Sequence, residues 1–274
     1  MKIQNNTLYY VYDPMCSWCY AYEQSLAALQ QQLPALLDFK FILGGLAPDT
    51  TTPMPLATQT MIQQAWQRIE ASVPHVRFNF DFWTHNTPLR STYPACRALI
   101  AAAQQAPELT SSLRQQIQYA YYQKAQNPSF DTTLIACAEQ TALDIQRFTT
   151  DLSTPATQTQ LNEHIQFART LGVNSYPSLR LVLNDKIYTI AINYTQSNPT
   201  LRQITNLLAQ HKQRGIESPC VRNCCLNNAD ICLGCLRTLD EITGWSQAST
   251  IEKQQILDNI ALRQNDCDTN NKIH

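Results

Sequence analysis

The chain has 274 residues, 44% of them hydrophobic, with 20 Lys and Arg against 21 Asp and Glu for a net charge of −1. That length and apolar content suit one large core with a smaller unit attached. The even charge balance argues against a nucleic-acid partner or an anionic membrane surface.

The pattern "LYYVY" at residues 8–12 is aromatic and β-branched and predicts a strand. Tyr22, Leu26, Leu29 and Leu33 then recur at helical spacing up to Pro34, and "FKFILGG" from Phe39 predicts a second strand closed by glycines. From about 55 to 170 the segments "MIQQAWQRIEA", "ACRALIAAAQQA", "LRQQIQYAYYQKA", "TLIACAEQTA" and "LNEHIQFARTL" predict a block of helices. "SLRLVLN" and "IYTIAI", joined by the turn signal "NDK", predict a hairpin, and Leu201, Ile204 and Leu208 mark a last helix of this unit. Residues 1–212 are thus expected to form one domain, a mixed α/β sheet with a helical insertion. Gly215 and Pro219 mark a linker over 213–219. A cysteine-rich domain over 220–264 follows, in which Thr238 with Glu241 and Ser249 with Glu252 have capping-box spacing. The polar end, 265–274, is expected to be disordered.

The N-terminus carries no leader-like apolar stretch, and no apolar run is long enough to span a bilayer. The expected compartment is therefore the cytoplasm, with no membrane partner. Thiols stay reduced there, so the ten cysteines are expected to be redox-active, metal-bound or buried. Cys96 and Cys137, in Ala- and Leu-rich stretches, read as buried thiols. His75 and His85 read as structural or surface residues, and Trp66 and Trp83 as core aromatics.

Cys16 and Cys19 lie two residues apart at the predicted strand-to-helix turn, in "DPMCSWCYAY". A helix N-terminus offers unpaired N–H groups and a partial positive charge, which favour a thiolate at the first cysteine. The second lies one turn on, within reach of a mixed disulfide. Cys16 is the candidate nucleophile and Cys19 the candidate resolving thiol. The competing use of such a pair is half of a zinc site.

These residues resemble the DsbA-like branch of the thioredoxin superfamily. The resemblance covers roughly residues 5 to 212 and includes "STYPACRALIAAA" and "GVNSYPSLRL". It implies a thioredoxin fold with a helical insertion and thiol–disulfide exchange with protein or small-molecule disulfides, including glutathione, with no cofactor in this domain. It also implies a cis-proline facing the cysteine pair, here Pro177. Ser17, Trp18 and Tyr176 are the expected substrate contacts. Ser17–Trp18 contains no His or Lys, and Tyr176 is bulkier than the residue usual before that proline, which would narrow the groove. A glutathione-dependent branch, including kappa-class transferases and 2-hydroxychromene-2-carboxylate isomerases, shares the insertion but generally has serine at the first position. A non-catalytic binding module is the alternative of a different class.

Near the other end, Cys220-x3-Cys224-x7-Cys232-x2-Cys235 supplies four thiols in a segment too short to bury much apolar surface. Four thiolates suit zinc or an iron–sulfur cluster, and both stay open, as does the replacement of Cys224 by the adjacent Cys225. Together with Arg237, Thr238, Asp240, Glu241, Ile242 and Trp245, the cysteines resemble a short bacterial domain of unknown function that is commonly labelled an iron–sulfur protein.

Overall fold

The computed structural model describes residues 1–214 and 217–270. Gly215, part of the expected linker, lies outside them, as do residues 271–274 of the expected tail. The chain divides into two units, Met1–Ile204 and Thr205–His274.

The first unit opens with β1 (Thr7–Tyr12), α1 (Ser17–Gln30) and β2 (Asp38–Leu43). The insertion comprises α2 (Leu56–Ser72), α3 (Phe82–His85), α4 (Tyr93–Gln105), a 3₁₀ turn (Pro107–Leu109), α5 (Thr110–Lys124), α6 (Asp131–Ala138), α7 (Ile145–Leu152) and α8 (Pro155–Thr170). β3 (Ser178–Leu183) and β4 (Lys186–Ile190) follow, and α9 (Asn198–Arg214) begins in the first unit and ends in the second. The sheet order is β2-β1-β3-β4, with β1 parallel to β2 and antiparallel to β3. β3 and β4 form the expected hairpin; both of its turn residues, Asn184 and Asp185, take positive φ, which matches the right-handed twist of the strands.

Every residue of β1 is buried, because both faces of the sheet are covered. Tyr9, Val11, Ile42 and Val182 pack with Phe167, Ala168 and Leu171 on one side. On the other, the Tyr10 ring meets Tyr22 of α1 at 5.9 Å, and the Arg114 guanidinium of α5 lies 4.7 Å over Phe41. Trp66 is fully buried, stacked on Phe78 at 4.7 Å and edge-on to Tyr121 and Tyr122. The aromatic segment around residues 78–83 therefore ties α2 to α5. His75 and His85 are exposed. Neither α3 nor α7 was legible as a separate helix; α7 is set by Asp144, whose carboxylate accepts the Arg147 N–H at 3.0 Å, a cap worth about 1 kcal/mol.

The second unit contains α10 (Leu239–Gly244) and α11 (Thr250–Asn270). Both predicted capping boxes form: Thr238 with Glu241, and Ser249 with Glu252. Arg263 forks onto both Glu241 oxygens at 2.7 and 2.9 Å. α11 runs to Asn270, into the stretch expected as a tail, and no glycine or proline interrupts 250–270. Among the described residues of 217–264 the buried ones are Cys232, Cys235 and Arg237, and none of these builds an apolar core. Among the described residues no helix is long and apolar enough to cross a membrane.

Candidate active site and candidate metal centre

The turn between β1 and α1 is built around Asp13. Its fully buried carboxylate accepts the Met15 N–H at 2.8 Å, the Leu46 N–H at 2.7 Å and the Thr92 hydroxyl at 2.6 Å, with the Cys96 thiol at 3.6 Å. Burial raises the Asp13 carboxyl above the usual range, opposed by the Thr92 hydrogen bond and the two backbone N–H groups. This knot joins the "DPMC" turn to the end of β2 and the start of α4, and so fixes where α1 begins. Sequence reasoning missed it. The only local trace is an acid before Pro14; its partners lie in "STYPACR" and "GGLA".

Cys16 is the N-cap of α1. Its backbone is extended, its N–H donates to Asp13 O at 3.1 Å, and its carbonyl accepts the Tyr20 N–H at 3.0 Å. Its thiol donates to the Tyr176 carbonyl at 3.6 Å, which brings together two segments that the sequence reading paired. The Tyr176–Pro177 peptide bond is cis. Cys16 is 8% exposed, Cys19 is sealed off entirely, and both are free thiols. Burial, then the hydrogen bond and charge of Cys16, push the Cys19 thiol well up.

Ser17, Trp18, Tyr176 and Pro177 are half-buried. The Trp18 ring lies 4.8 Å from Tyr194, whose phenol is raised by burial and by the nearby Cys19 and Cys16. Tyr176 is anchored: its hydroxyl donates to Gly44 O at 2.7 Å and its ring lies against Gly44, where a Cβ would overlap it. Burial pushes its phenol up to about 12. Below the site, Glu23 of α1 pairs with the buried Arg114 at 3.1 Å. These two line a cleft of about 650 Å³ with Tyr20 and Gln118, but neither cysteine reaches it. Cys96 and Cys137 are buried thiols.

In the second unit, Cys220 foremost, then burial and Cys232, raise the Cys224 thiol, so these side chains are neighbours. The backbone N–H groups of Cys235, Gly234 and Cys225 point at the Cys232 sulfur and bring its thiol down to about 7. The Arg222 N–H donates to the Cys220 sulfur at 3.4 Å, and Arg237 Nε to that of Cys235 at 3.4 Å. Among the described residues no three His, Cys, Asp or Glu side chains stand close enough to hold an ion as placed. The fit to a metal rests on the donor set: four thiols, with N–H groups already aimed at three of the sulfurs, suit a soft cation.

A family model described as thioredoxin matches residues 9–215, and a model for a protein of unknown function (DUF1289) matches residues 218–264. Among solved structures, the fold is shared with a Nitrosomonas europaea protein proposed to be a protein disulfide isomerase. The TM-score is 0.66 at 23% identity, covering 76% of this chain and all of that one. It is also shared with the cytosolic disulfide reductase DsbM from Pseudomonas aeruginosa, with a TM-score of 0.59 at 20% identity, covering 74% and 99%. That protein has also been solved with GSH. Two curated relatives are each named ClpXP adapter protein SpxH. The one from Halalkalibacterium halodurans is 24% identical over 196 residues, 70% of this chain and 63% of the relative. The one from Bacillus subtilis is 23% identical over 173 residues, 63% and 56%. The chain spans less than two thirds of the length of the curated relatives it matches.

Proposed function

The chain belongs to the Thioredoxin_5 family, and we propose that it is a thiol–disulfide oxidoreductase working through Cys16 and Cys19. The observation that carries this reading is the unequal placement of two free thiols: Cys16 caps α1 beside the Tyr176 carbonyl, and Cys19 is sealed one turn below. Cys16, as the thiolate, attacks a disulfide R–S–S–R′, forming Cys16–S–S–R and releasing R′–S⁻, which takes a proton from solvent. Cys19 then attacks the Cys16 sulfur, and the departing R–S⁻ takes the proton that Cys19 gives up. The pair ends as a disulfide, having passed two electrons to the substrate. Two molecules of a small thiol such as glutathione reset it and leave as one disulfide. The substrates are protein or small-molecule disulfides, lying against Ser17, Trp18, Tyr176 and Pro177, and the compartment is the cytoplasm. The likeness to a reductase named cytosolic and solved with GSH supports these last points.

The test is insulin reduction with glutathione as the reductant. Wild type should turn over, Cys16→Ser should fall to the uncatalysed rate, and Cys19→Ser should trap a mixed disulfide on Cys16. Wild type with no turnover removes the reading. Glutathione conjugation that survives Cys16→Ser would move the assignment to the transferase and isomerase branch. A second reading, an adapter that binds a protein partner, is favoured by the names of the two curated relatives. Partner capture that survives loss of both cysteines would select it.

For the second unit, Cys220, Cys224, Cys232 and Cys235 are the proposed ligands of zinc or an iron–sulfur cluster. When bound, the metal supplies the cross-link that this segment's missing apolar core does not.

A further inference from the structure

Tyr10 lies on β1, on the face of the sheet covered by α1. Its ring meets Tyr22 at 5.9 Å, and Cys19 and Tyr22, three residues apart, share the buried face of that helix. Tyr10 is wholly buried, yet among the described residues its hydroxyl has no hydrogen-bond partner. Leaving a buried hydroxyl unpaired is unfavourable, so a phenol kept there in the fold calls for an acceptor that exists only part of the time. The proposed reaction creates one. Cys19 must carry negative charge as it attacks the mixed disulfide, and it does so at a site closed to water.

We propose that the Tyr10 hydroxyl is a positioning donor for the Cys19 sulfur, hydrogen-bonding it as the thiolate forms and leaving it once the Cys16–Cys19 bond closes. This rests on the oxidoreductase reading of the pair. No proton is transferred by Tyr10: the proton leaving Cys19 still ends on the departing R–S⁻, and the phenol only donates a hydrogen bond to the anion. After burial, Cys19 is the foremost influence on the Tyr10 phenol, and it pushes the phenol up, as a nearby thiolate must. The other groups facing this pocket are Tyr12, stacked on the Tyr10 ring at 5.2 Å, Cys16, Tyr22 and Glu23 around α1, Arg114 and Tyr122 from α5, Asp13 at the turn, and Tyr194 before α9. Among the described residues the Tyr22 and Tyr122 hydroxyls are also unpartnered, but Tyr22 lies beside the Thr200 hydroxyl, and after burial the foremost neighbour of Tyr122 is Tyr121 rather than a sulfur.

The test is the pH profile of mixed-disulfide resolution. The full chain is loaded at Cys16 with thionitrobenzoate, and release of the coloured thiol is followed across pH. In Tyr10→Phe the midpoint should move up by about one unit, so release at neutral pH slows about tenfold. Replacement of Tyr10 by 3,5-difluorotyrosine keeps the shape with a stronger donor and should move the midpoint down, which serves if the Phe variant does not fold. A Tyr10→Phe profile that superimposes on wild type overturns the inference while leaving the Cys16–Cys19 reading intact. An equal shift from Tyr122→Phe also overturns it. Wild type that never releases the thiol removes the reading itself.

Discussion

The two cysteine sites use the same element in opposite physical settings. Around Cys16 and Cys19 the fold comes first: a strand buried on both faces, a helix whose start is fixed by Asp13, and a crossing loop that presents the Tyr176 carbonyl. Among the described residues of 217–264 the buried ones are two of the cysteines and one arginine, and N–H groups are turned toward the sulfurs of Cys220 and Cys235. The packed scaffold can hold a thiol at a chosen depth, 8% exposed or none, and so make two adjacent cysteines chemically unequal. A segment without a core cannot do this unaided; there the sulfurs must supply the cohesion. Spacing alone does not separate the two uses, since Cys232-x2-Cys235 repeats the gap of Cys16-x2-Cys19.

The comparison can be broken most sharply with a chelator. Applied to the full chain, it should make residues 217–264 sensitive to protease while disulfide exchange at Cys16 continues. A protected segment would mean that its cohesion lies elsewhere. Single substitutions come next. Cys224→Ser should lose the metal and Cys225→Ser should keep it, read as metal per chain, and the reverse result would exchange the two roles. A smaller effect is expected at Asp13. Asp13→Asn turns an amide N–H toward a backbone donor and should cost about 1–3 kcal/mol in chemical denaturation at neutral pH. Because burial raises the folded carboxyl, the stability Asp13 contributes is fully present below the unfolded carboxylate range and is lost as pH rises through the raised value. The gap between wild type and the Asn variant should therefore shrink as pH rises above the ordinary carboxylate range, and a constant gap would contradict this. The smallest change is Tyr176→Phe, which removes the bond to Gly44 O and should cost about 1 kcal/mol, with a moderate change in KM for insulin.

Much of this was legible in the sequence because it is local. The strand-to-helix position of Cys16, the 3.6-residue spacing along α1, the "NDK" turn and both capping boxes depend on residues a few places apart. What was missed depends on distant partners. Asp13 gains its meaning from Leu46 and Thr92, and Tyr176 is held by Gly44, so its ring is anchored on the end of β2. α7 was overlooked because it is only eight residues long, although Ile145, Phe148 and Leu152 recur at helical spacing and Asp144 caps it. The reach of α11 to Asn270 was hidden by polar composition, although nothing in 250–270 stops a helix.

The central claim is that one pair of cysteines exchanges electrons while the other group holds a structure together. The most direct measurement equilibrates the full chain in glutathione buffers of graded potential, alkylates the remaining thiols, and maps every cysteine by mass spectrometry. The account predicts that Cys16 and Cys19 convert together, as one two-electron couple, and that in the reduced form at mildly acidic pH Cys16 is labelled before Cys19. Cys220, Cys224, Cys232 and Cys235 should stay out of the exchange until a chelator is added. Cys16 and Cys19 remaining thiols across the whole series, or the four-cysteine group titrating in their place, would contradict it.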